Sequence, residues 1–523
     1  MRDDLEDTDH GFPWSAARRT GEDQQSSRGD GMRRLSRGSW IIAGLVLLLL
    51  LSAAGRYGFH RDELYFIEGG HHLSWAQPDN PITVPLLAAA WHSLVGGQLA
   101  LFRIIPAVLA AACVLIAAAT ARLVGGSALH QTVTAGLMAS TSILLATGHL
   151  FSTTTFDLFL TSAVIMLLIR ALQEPAELRR WVAVGLVAGL ALEIKILPAM
   201  ILVSCLAGIV ITGPRYVLRR KGPWLAMLIA AVIAAPNLIW QKVHGWPMLE
   251  VAGNIAAGGS TSSSERYLVL PMHLLMAGPA AAIVIIIGLI ASFRSPALRP
   301  YRWVPVAYLV MLALVVATGA KPYYLAGFFV AVLALGVGPL ITYLGRQRRR
   351  WVVAATVAVV LVVPTVIFAL PIAPVGSPVF QVAVSVNPDQ AETVGWDQWV
   401  RAVQRASVGT DIAATVVITR NYGEAGALSR ERRLNPESGL PPVYSGHNAY
   451  AEWGPPPEEA STALVVGRFS DNELADWFAE CALVERFSSP PGVDNEENGA
   501  PIRVCHGRQS SWSEIWPQIA RIG

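Results

Sequence analysis

Charged residues are scarce in this chain of 523 residues. Lysine, arginine, aspartate and glutamate make up 15% of the sequence and hydrophobic residues 53%, whereas about a quarter of an ordinary soluble domain is charged. This much apolar surface excludes a soluble globular protein and indicates a membrane protein that contacts membrane lipids. The net charge is only +3, and we expect no nucleic-acid partner.

Cysteine is rare as well, and the four cysteines are too few for a disulfide scaffold. Cys113 and Cys205 fall within apolar runs and are expected to be inert hydrophobic side chains. Cys481 and Cys505 lie in the polar C-terminal part. We hypothesise that these two form a disulfide if that part faces an oxidising compartment.

Several signatures of other protein classes are missing from the sequence. It has no internal repeat of the kind that many transporters contain, and no glycine-rich phosphate loop or nucleotide-sugar fingerprint. His71, His72 and His92 match no zinc-binding spacing. No cofactor is therefore predicted, although carboxylates at the outer face leave a divalent metal open.

Apolar runs alternate with arginine-rich loops over most of the chain. The runs lie at about residues 40–55, 99–122, 127–147, 156–172, 181–193, 197–212, 223–240, 271–293, 303–318, 324–343 and 351–371. A membrane-spanning helix needs about 17–25 residues, and the positive-inside tendency assigns the arginine-rich loops to the cytoplasm. Because basic residues flank both ends of 181–212, this stretch is predicted to cross out and back, turning near Lys195. About eleven spans result, in a cell-membrane protein with a cytoplasmic N-terminus and an outer C-terminus.

Three segments follow from this topology. Residues 1–38 are polar without apolar periodicity, which predicts a disordered cytoplasmic tail. Residues 39–372 are predicted to form the transmembrane domain. Residues 373–523 mix β-like runs such as Thr415–Thr419 with amphipathic helical runs such as Asp471–Glu480. The predicted fold class is therefore a mainly α polytopic membrane protein with a C-terminal extracytoplasmic α/β domain.

Acidic residues stand at the predicted outer ends of the spans. Asp62 and Glu63 follow the first span, where a carboxylate can meet water-borne and lipid-borne substrates and act as a general base. Both also suit the first turn of a helix, where their role would be structural. Asp157 lies at the outer end of the fourth span. Placing an ionisable group at an apolar boundary costs free energy, which makes Asp157 a functional candidate. The alternative is that its carboxylate simply reaches water at the membrane interface.

Basic residues at the same face complete the set of candidates. Glu193 and Lys195 interrupt an apolar stretch with opposite charges, which is expensive unless these charges are used or paired. A lysine there suits a lipid phosphate, while an ion pair of Lys195 with Asp62 or Asp157 is the competing interpretation. The remaining candidates are Asp79 in a turn, and Lys321 and Tyr324 at an outer interface.

A series of short motifs follows one another in a specific order. They are Asp62-Glu63-Leu64-Tyr65, Asp79-Asn80-Pro81, Phe102-Arg103-Ile104-Ile105-Pro106, Gly189-Leu190-Ala191-Leu192-Glu193-Ile194-Lys195, Pro236-Asn237-Leu238-Ile239-Trp240-Gln241 and Lys321-Pro322-Tyr323-Tyr324. The series resembles the family 39 glycosyltransferases, which have the C-type fold and include relatives of protein O-mannosyltransferases and aminoarabinose transferases. Two C-terminal strings, Asn421-Tyr422-Gly423-Glu424-Ala425 and Ser445-Gly446-His447-Asn448, look like those of the bacterial branch.

The resemblance implies a hexosyl- or pentosyltransferase. Such an enzyme moves a sugar from a polyprenyl-phosphate donor to a lipid, glycan or protein acceptor on the outer face of the membrane, with inversion. By their positions in the family motifs, Asp62 would be the general base, Glu63 its support and Asp157 the second acid of the catalytic cavity. The residues expected to bind substrate are Lys195, Lys321, Tyr324, Asp79 and Glu193.

Two other functions fit many features of the sequence. A transporter or flippase of a lipid-linked intermediate would also need many spans and charges within the membrane, but transporters usually carry repeats and broken helices at the midplane. A non-catalytic membrane subunit whose outer domain binds a partner is the third possibility. The gathering of charges at the outer face favours the glycosyltransferase.

Overall fold

The computed structural model describes residues 34–258 and 265–523. Most of the predicted tail, residues 1–33, therefore lies outside the described residues. The first described helix begins at Arg37, where the hydroxyl of Ser36 accepts a hydrogen bond from the Ser39 N–H and caps the helix.

Helices dominate the chain and a small sheet follows them. The helices are α1 Arg37–Ala53, α2 Arg61–Gly69, α3 Thr83–Leu94, α4 Leu99–Phe102, α5 Ile104–Leu123, α6 Ala128–Ala139, α7 Ser142–His149, α8 Thr153–Gln173, α9 Leu178–Leu192, α10 Pro198–Thr212, α11 Lys221–Val243, α12 Pro247–Ala256, α13 Val269–Ala277, α14 Pro279–Arg294, α15 Trp303–Thr318, α16 Phe329–Leu344, α17 Arg348–Ala369, α18 Pro378–Val386, α19 Trp396–Ser407, α20 Tyr422–Leu434, α21 Ala449–Glu452, α22 Asp471–Trp477 and α23 Trp512–Ile519. Short 3-10 helices lie at Arg215–Arg219, Arg266–Leu268, Pro296–Tyr301, Pro322–Phe328 and Pro388–Thr393. The strands are β1 Thr415–Thr419, β2 Val443–Ser445, β3 Thr462–Val466, β4 Phe478–Arg486 and β5 Pro501–Arg508.

The apolar helices make the chain a multi-pass membrane protein. Within the described residues, five helices are long and apolar enough to cross a membrane, or six if the bent pair Arg266–Ala277 and Pro279–Arg294 is one span. Three shorter apolar helices, α1, α10 and α15, accompany them. Of the most apolar stretch of α8, 72% of the residues are buried, against 11% for α17, so α8 lies inside the bundle and α17 at its edge. The count of eleven spans and their direction stay predictions.

The predicted interruption near Lys195 is present in the structure. Helix α9 ends at Leu192 and α10 begins at Pro198, a residue type that suits the first turn of a helix because its missing N–H needs no partner there. The five residues between them place Lys195 in a connection between two 15-residue helices.

The C-terminal sheet has five strands in the order β2–β1–β3–β5–β4. Strands β2, β1 and β3 are parallel, and β5 is antiparallel to both β3 and β4. Cys481 and Cys505 stand opposite each other on β4 and β5 and form a disulfide, which confirms the hypothesised pair. The run predicted as helical over Asp471–Glu480 is helical only to Trp477, because the next residues pair with β5 as strand β4.

One apolar cluster connects the sheet to helix α2, which follows the first apolar helix. Leu64 of α2 lies in the same buried cluster as Trp399 of α19, Val417 of β1 and Leu428 of α20. Helix α20 approaches α2 closely at Gly426, where an added Cβ would lie 2.9 Å from the carbonyl carbon of Leu64. The C-terminal region is therefore packed directly on helix α2, in the connection that follows α1.

Candidate active site

The acidic pair lies in the first turn of α2, which begins directly after His60. The imidazole Nδ1 of His60 accepts a hydrogen bond from the Asp62 N–H at 3.2 Å. In return the Glu63 carboxylate accepts one from the His60 N–H at 2.8 Å. This reciprocal cap fixes the start of the helix and directs the two neighbouring carboxylates to different surroundings.

Glu63 is fully buried and its carboxylate is saturated. It accepts hydrogen bonds from Arg103 Nε at 3.0 Å, from Arg103 Nη2 at 2.6 Å and from the Phe151 N–H at 2.9 Å. Arg103, also fully buried, donates in addition to the carbonyls of Ala54 at 3.2 Å and Gly58 at 2.7 Å. Glu63 therefore joins the start of α2 to Arg103 and Phe151, and it does not line the cavity described next.

Asp62 lines a cavity of about 920 Å³ between the helices and the C-terminal sheet. Its Oδ1 accepts a hydrogen bond of 2.9 Å from the hydroxyl of Tyr422. Within the described part of the chain, its Oδ2 has no hydrogen-bond partner. One carboxylate oxygen is thus held, while the other is available to a molecule in the cavity.

Two lysines line the same cavity. Lys195 donates a hydrogen bond from Nζ to Thr154 Oγ1 at 2.9 Å, and the ammonium lies 5.5 Å and 5.9 Å from the ring centroids of Tyr323 and Tyr324. Burial lowers the pKa of Lys195 to about 8, against the opposing effect of nearby Asp157. Lys321 and both tyrosines also line the cavity. The structure therefore brings Asp62, Lys195, Lys321 and Tyr324 around one space.

Asp157 and Glu193 do not line this cavity. Asp157 is only 6% exposed, and its Oδ1 has no hydrogen-bond partner among the described residues. It lies near enough to Lys195 to interact with it through charge. No salt bridge joins Lys195 to Asp62 or Asp157 within the described segments, so the ion-pair interpretation is not what the structure contains.

Asp79 is a second carboxylate at the cavity wall. Its Oδ1 accepts hydrogen bonds from the Tyr65 hydroxyl at 2.8 Å and from Asn80 Nδ2 at 2.9 Å. Its Oδ2 accepts one from Asn448 Nδ2 at 3.1 Å. Burial raises the pKa of Asp79 to about 6, although these hydrogen bonds act in the opposite direction.

The C-terminal region contributes cavity residues that the sequence analysis did not assign to the site. Tyr422, His447 and Asn448 line the cavity together with Glu392 and others. Burial, aided by the positive charge of Arg521, lowers the pKa of His447 to about 3, so this imidazole is neutral. The only sequence signal for Tyr422, His447 and Asn448 was the pair of short strings that look like family motifs, and a string alone gives no distance to Asp62.

Arg61, next to Asp62, holds a cluster of glutamates from the C-terminal region. Its guanidinium lies 3.1 Å from Glu392, 2.6 Å from Glu496 and 2.6 Å from Glu497. Burial raises the pKa of Glu392 to about 8, with Arg61 opposing the shift. These contacts tie the beginning of α2 to residues far along the chain.

The far side of the cavity is apolar. Its wall there includes Met272, Leu275, Met276, Leu361, Pro364 and Phe368. The cavity wall thus combines carboxylates, ammonium groups and an apolar surface. Among the described residues, no group of three or more histidine, cysteine, aspartate or glutamate side chains is placed to hold a metal ion.

Residues 79–240 match the family model described as dolichyl-phosphate-mannose-protein mannosyltransferase. No curated protein matches the chain in sequence. The fold is similar to that of ArnT from Cupriavidus metallidurans in the apo state, with a TM-score of 0.56 at 12% identity, covering 88% of this chain and 97% of that one. ArnT bound to undecaprenyl phosphate gives a TM-score of 0.56 at 13% identity over the same shares of the two chains.

A third solved structure, of a different protein, has a similar fold. The Archaeoglobus fulgidus oligosaccharyltransferase, solved with zinc and sulfate, gives a TM-score of 0.51 at 13% identity, covering 82% of this chain and 67% of that one. The fold is thus the polytopic C-type fold that these glycosyltransferase structures share. The family match over residues 79–240 confirms the predicted resemblance to the family 39 glycosyltransferases.

Proposed function

We propose that the protein transfers a sugar from a polyprenyl-phosphate donor to an acceptor hydroxyl at the outer face of the membrane. The observation that carries this proposal is the composition of one cavity. Asp62 presents a free carboxylate oxygen there, Lys195 and Lys321 supply positive charge, and apolar side chains form the remaining wall. That combination fits a substrate with a sugar, a phosphate and an isoprenoid chain.

In this proposal Asp62 acts as the general base. Its free oxygen takes the proton of the acceptor hydroxyl while the acceptor oxygen forms a bond to the anomeric carbon of the sugar. The bond between that carbon and the phosphate oxygen breaks, and the electron pair leaves with the polyprenyl phosphate. Attack opposite to the departing phosphate inverts the configuration at the anomeric carbon.

The lysines would stabilise the leaving phosphate. Charge on the bridging oxygen grows as the bond to the sugar breaks, and an ammonium group nearby lowers the energy of that state. Lys195 is held by Thr154 and flanked by Tyr323 and Tyr324, so little reorganisation is needed. The undecaprenyl phosphate in the ArnT structure supports a donor of this chemical class.

The first experiment replaces Asp62 by Asn. Radiolabelled polyprenyl-phosphate mannose, glucose and arabinose are each supplied to membranes of a deletion strain with purified protein, and label in acceptor material is counted. We expect the Asp62→Asn variant to lose at least about a hundredfold in rate, as general-base catalysis contributes roughly that much. The matched control is Asp476→Asn, which changes an exposed carboxylate on α22 and should retain full transfer.

One result would reject the assigned base, and another would reject the proposed reaction. Full transfer by Asp62→Asn would remove Asp62 from the role of base. Movement of a fluorescent polyprenyl-phosphate lipid across liposomes containing the protein, with no sugar transferred from any donor, would instead indicate a flippase.

A further inference from the structure

The C-terminal region reaches into the candidate active site through two side chains. The Tyr422 hydroxyl donates to Asp62 Oδ1 at 2.9 Å, and Asn448 Nδ2 donates to Asp79 Oδ2 at 3.1 Å. More than 350 residues separate the partners in each pair. Both contacts therefore exist only when the sheet is seated on the first outer loop.

The tyrosine is held in place on several sides. Its ring lies 4.6 Å from that of Tyr65 and 4.7 Å from the imidazole of His447, measured between centroids. It opens helix α20 directly after Asn421, whose side chain forms a reciprocal cap with Glu424. A side chain packed this way loses little further freedom when it donates a hydrogen bond.

The backbone beneath Tyr422 is also fixed against α2. An added Cβ at Gly423 would lie 2.7 Å from the Cβ of Arg61, one residue before Asp62. This close approach leaves no room for α20 to slide along α2. The hydroxyl of Tyr422 is consequently held beside Asp62 by the close contact of α20 with α2, which Gly423 and Gly426 of α20 allow.

The chemistry of the tyrosine suits a donor. Burial, followed by the nearby charge of Asp62, raises the pKa of Tyr422 well above its usual value. The hydroxyl therefore keeps its proton at neutral pH and donates it to the carboxylate. A hydrogen bond to an ionised carboxylate favours the ionised form, which is the form that a general base needs.

We propose that Tyr422 is a positioning residue for Asp62, and that the C-terminal domain thereby completes the active site. This inference rests on the proposed role of Asp62 as the base. By holding Oδ1, the hydroxyl fixes the plane of the carboxylate and directs Oδ2 to the acceptor. A transferase lacking that hydroxyl has the base in place, but with less control of its orientation and ionisation.

Other charged and titratable groups near Asp62 also influence how the transfer rate depends on pH. The titratable and charged groups that face Asp62 are Tyr422 of α20, Asp79 of the loop before α3, Lys195 of the loop after α9, Tyr323 of the 3-10 helix Pro322–Phe328, and Arg61 beside it. Replacing the tyrosine by phenylalanine removes a single hydroxyl and leaves all the others. A changed pH dependence then reports the missing donor.

The experiment compares Tyr422→Phe with Tyr444→Phe in the same transfer assay. Tyr444 is a half-buried tyrosine on β2 that packs edge-on against Trp516 and does not line the cavity. We expect Tyr422→Phe to lower the rate at saturating donor about tenfold, the equivalent of one hydrogen bond. The donor concentration at half-maximal rate should stay the same, and the acid limb of the rate profile should move up by about one pH unit or less. Tyr444→Phe should match the natural protein.

A double variant separates this inference from the proposed function. If Asp62→Asn leaves a measurable residual rate after its loss of about a hundredfold, adding Tyr422→Phe should cause no further loss, because the two side chains act as one unit. A natural rate and pH profile for Tyr422→Phe, with Asp62→Asn inactive, would overturn the inference alone. A raised donor requirement with an unmoved pH profile would also overturn it, since that pattern reports a merely structural role. An active Asp62→Asn variant would remove Asp62 from the role of base, on which the inference rests, while absence of transfer by the natural protein with every donor would remove the proposed function itself.

Discussion

The two sides of the first turn of α2 carry neighbouring carboxylates with opposite surroundings. On the buried side, Glu63 is fully enclosed and accepts four hydrogen bonds, two of them from Arg103. On the cavity side, Asp62 accepts one hydrogen bond, from Tyr422. A carboxylate whose lone pairs are all used has no capacity left for a substrate, whereas a carboxylate with one free oxygen does.

This contrast separates structural from chemical roles within a single dipeptide. Both residues occupy the helix start that favours negative charge, so the helix alone does not distinguish them. The difference comes from the tertiary structure. Arg103 binds the Glu63 carboxylate on one side of α2, and Tyr422 of α20 binds the Asp62 carboxylate on the other. The following predictions test whether the two sides are as different as their contacts indicate.

The largest effect is expected on the buried side, from Glu63→Gln. The substitution leaves the Arg103 guanidinium buried without a counter-charge, and breaking a buried ion pair costs about 3–5 kcal/mol. We expect a loss of this size in the free energy of unfolding, measured by denaturant titration in detergent micelles. Asp62→Asn removes an acceptor on the cavity side and should cost less than about 1 kcal/mol. Equal losses for the two variants would contradict the comparison.

The shared contact between α2 and α20 gives the next effect. An alanine at Gly426 would place its Cβ 2.9 Å from the carbonyl carbon of Leu64, and a clash of this kind in a packed core costs about 1–3 kcal/mol. We expect Gly426→Ala to lower the melting temperature and to reduce sugar transfer, because it pushes Tyr422 away from Asp62. The control must be a glycine without a positive φ, which excludes Gly439 with its φ of +72° because an alanine there would itself be strained. Gly253→Ala, with open space around it on helix α12, should leave both properties unchanged.

Much of the architecture follows from composition and spacing. Apolar runs between arginine-rich loops predict a polytopic helical protein because lipid is the only solvent that suits them. The basic residues flanking both ends of 181–212 predict the break between α9 and α10. The C-terminal α/β region was predicted from short β-like and helical runs. The exact end of a helix was not predictable from such a run. The helical pattern continues past Phe478 in the sequence, but in the structure Phe478 pairs with Arg508 as part of a strand.

The candidate site was predictable only in part. Asp62 and Lys195 could be found because charged groups beside apolar runs are costly and therefore informative. The roles of Tyr422 and Asn448 could not, because their partners lie more than 350 residues away and a tyrosine or asparagine in a polar region carries no such cost. The burial of Glu63 against Arg103 was equally hidden, since neither residue type is expected inside a protein.

Asp79 lies between the two extremes and provides the smallest effect. It lines the cavity as Asp62 does, yet it accepts three hydrogen bonds, and burial raises its pKa from 3.8 to about 6. The folded protein therefore keeps a proton that the unfolded chain releases near pH 4. The stability from this group is fully present below about pH 4 and is lost as the pH rises through about 6. We expect the free energy of unfolding to fall by about 1–2 kcal/mol more between these values in the natural protein than in Asp79→Asn, measured by denaturant titration at each pH. Parallel stability curves for the two proteins would place Asp79 with the solvated, ordinary carboxylates instead of between Glu63 and Asp62.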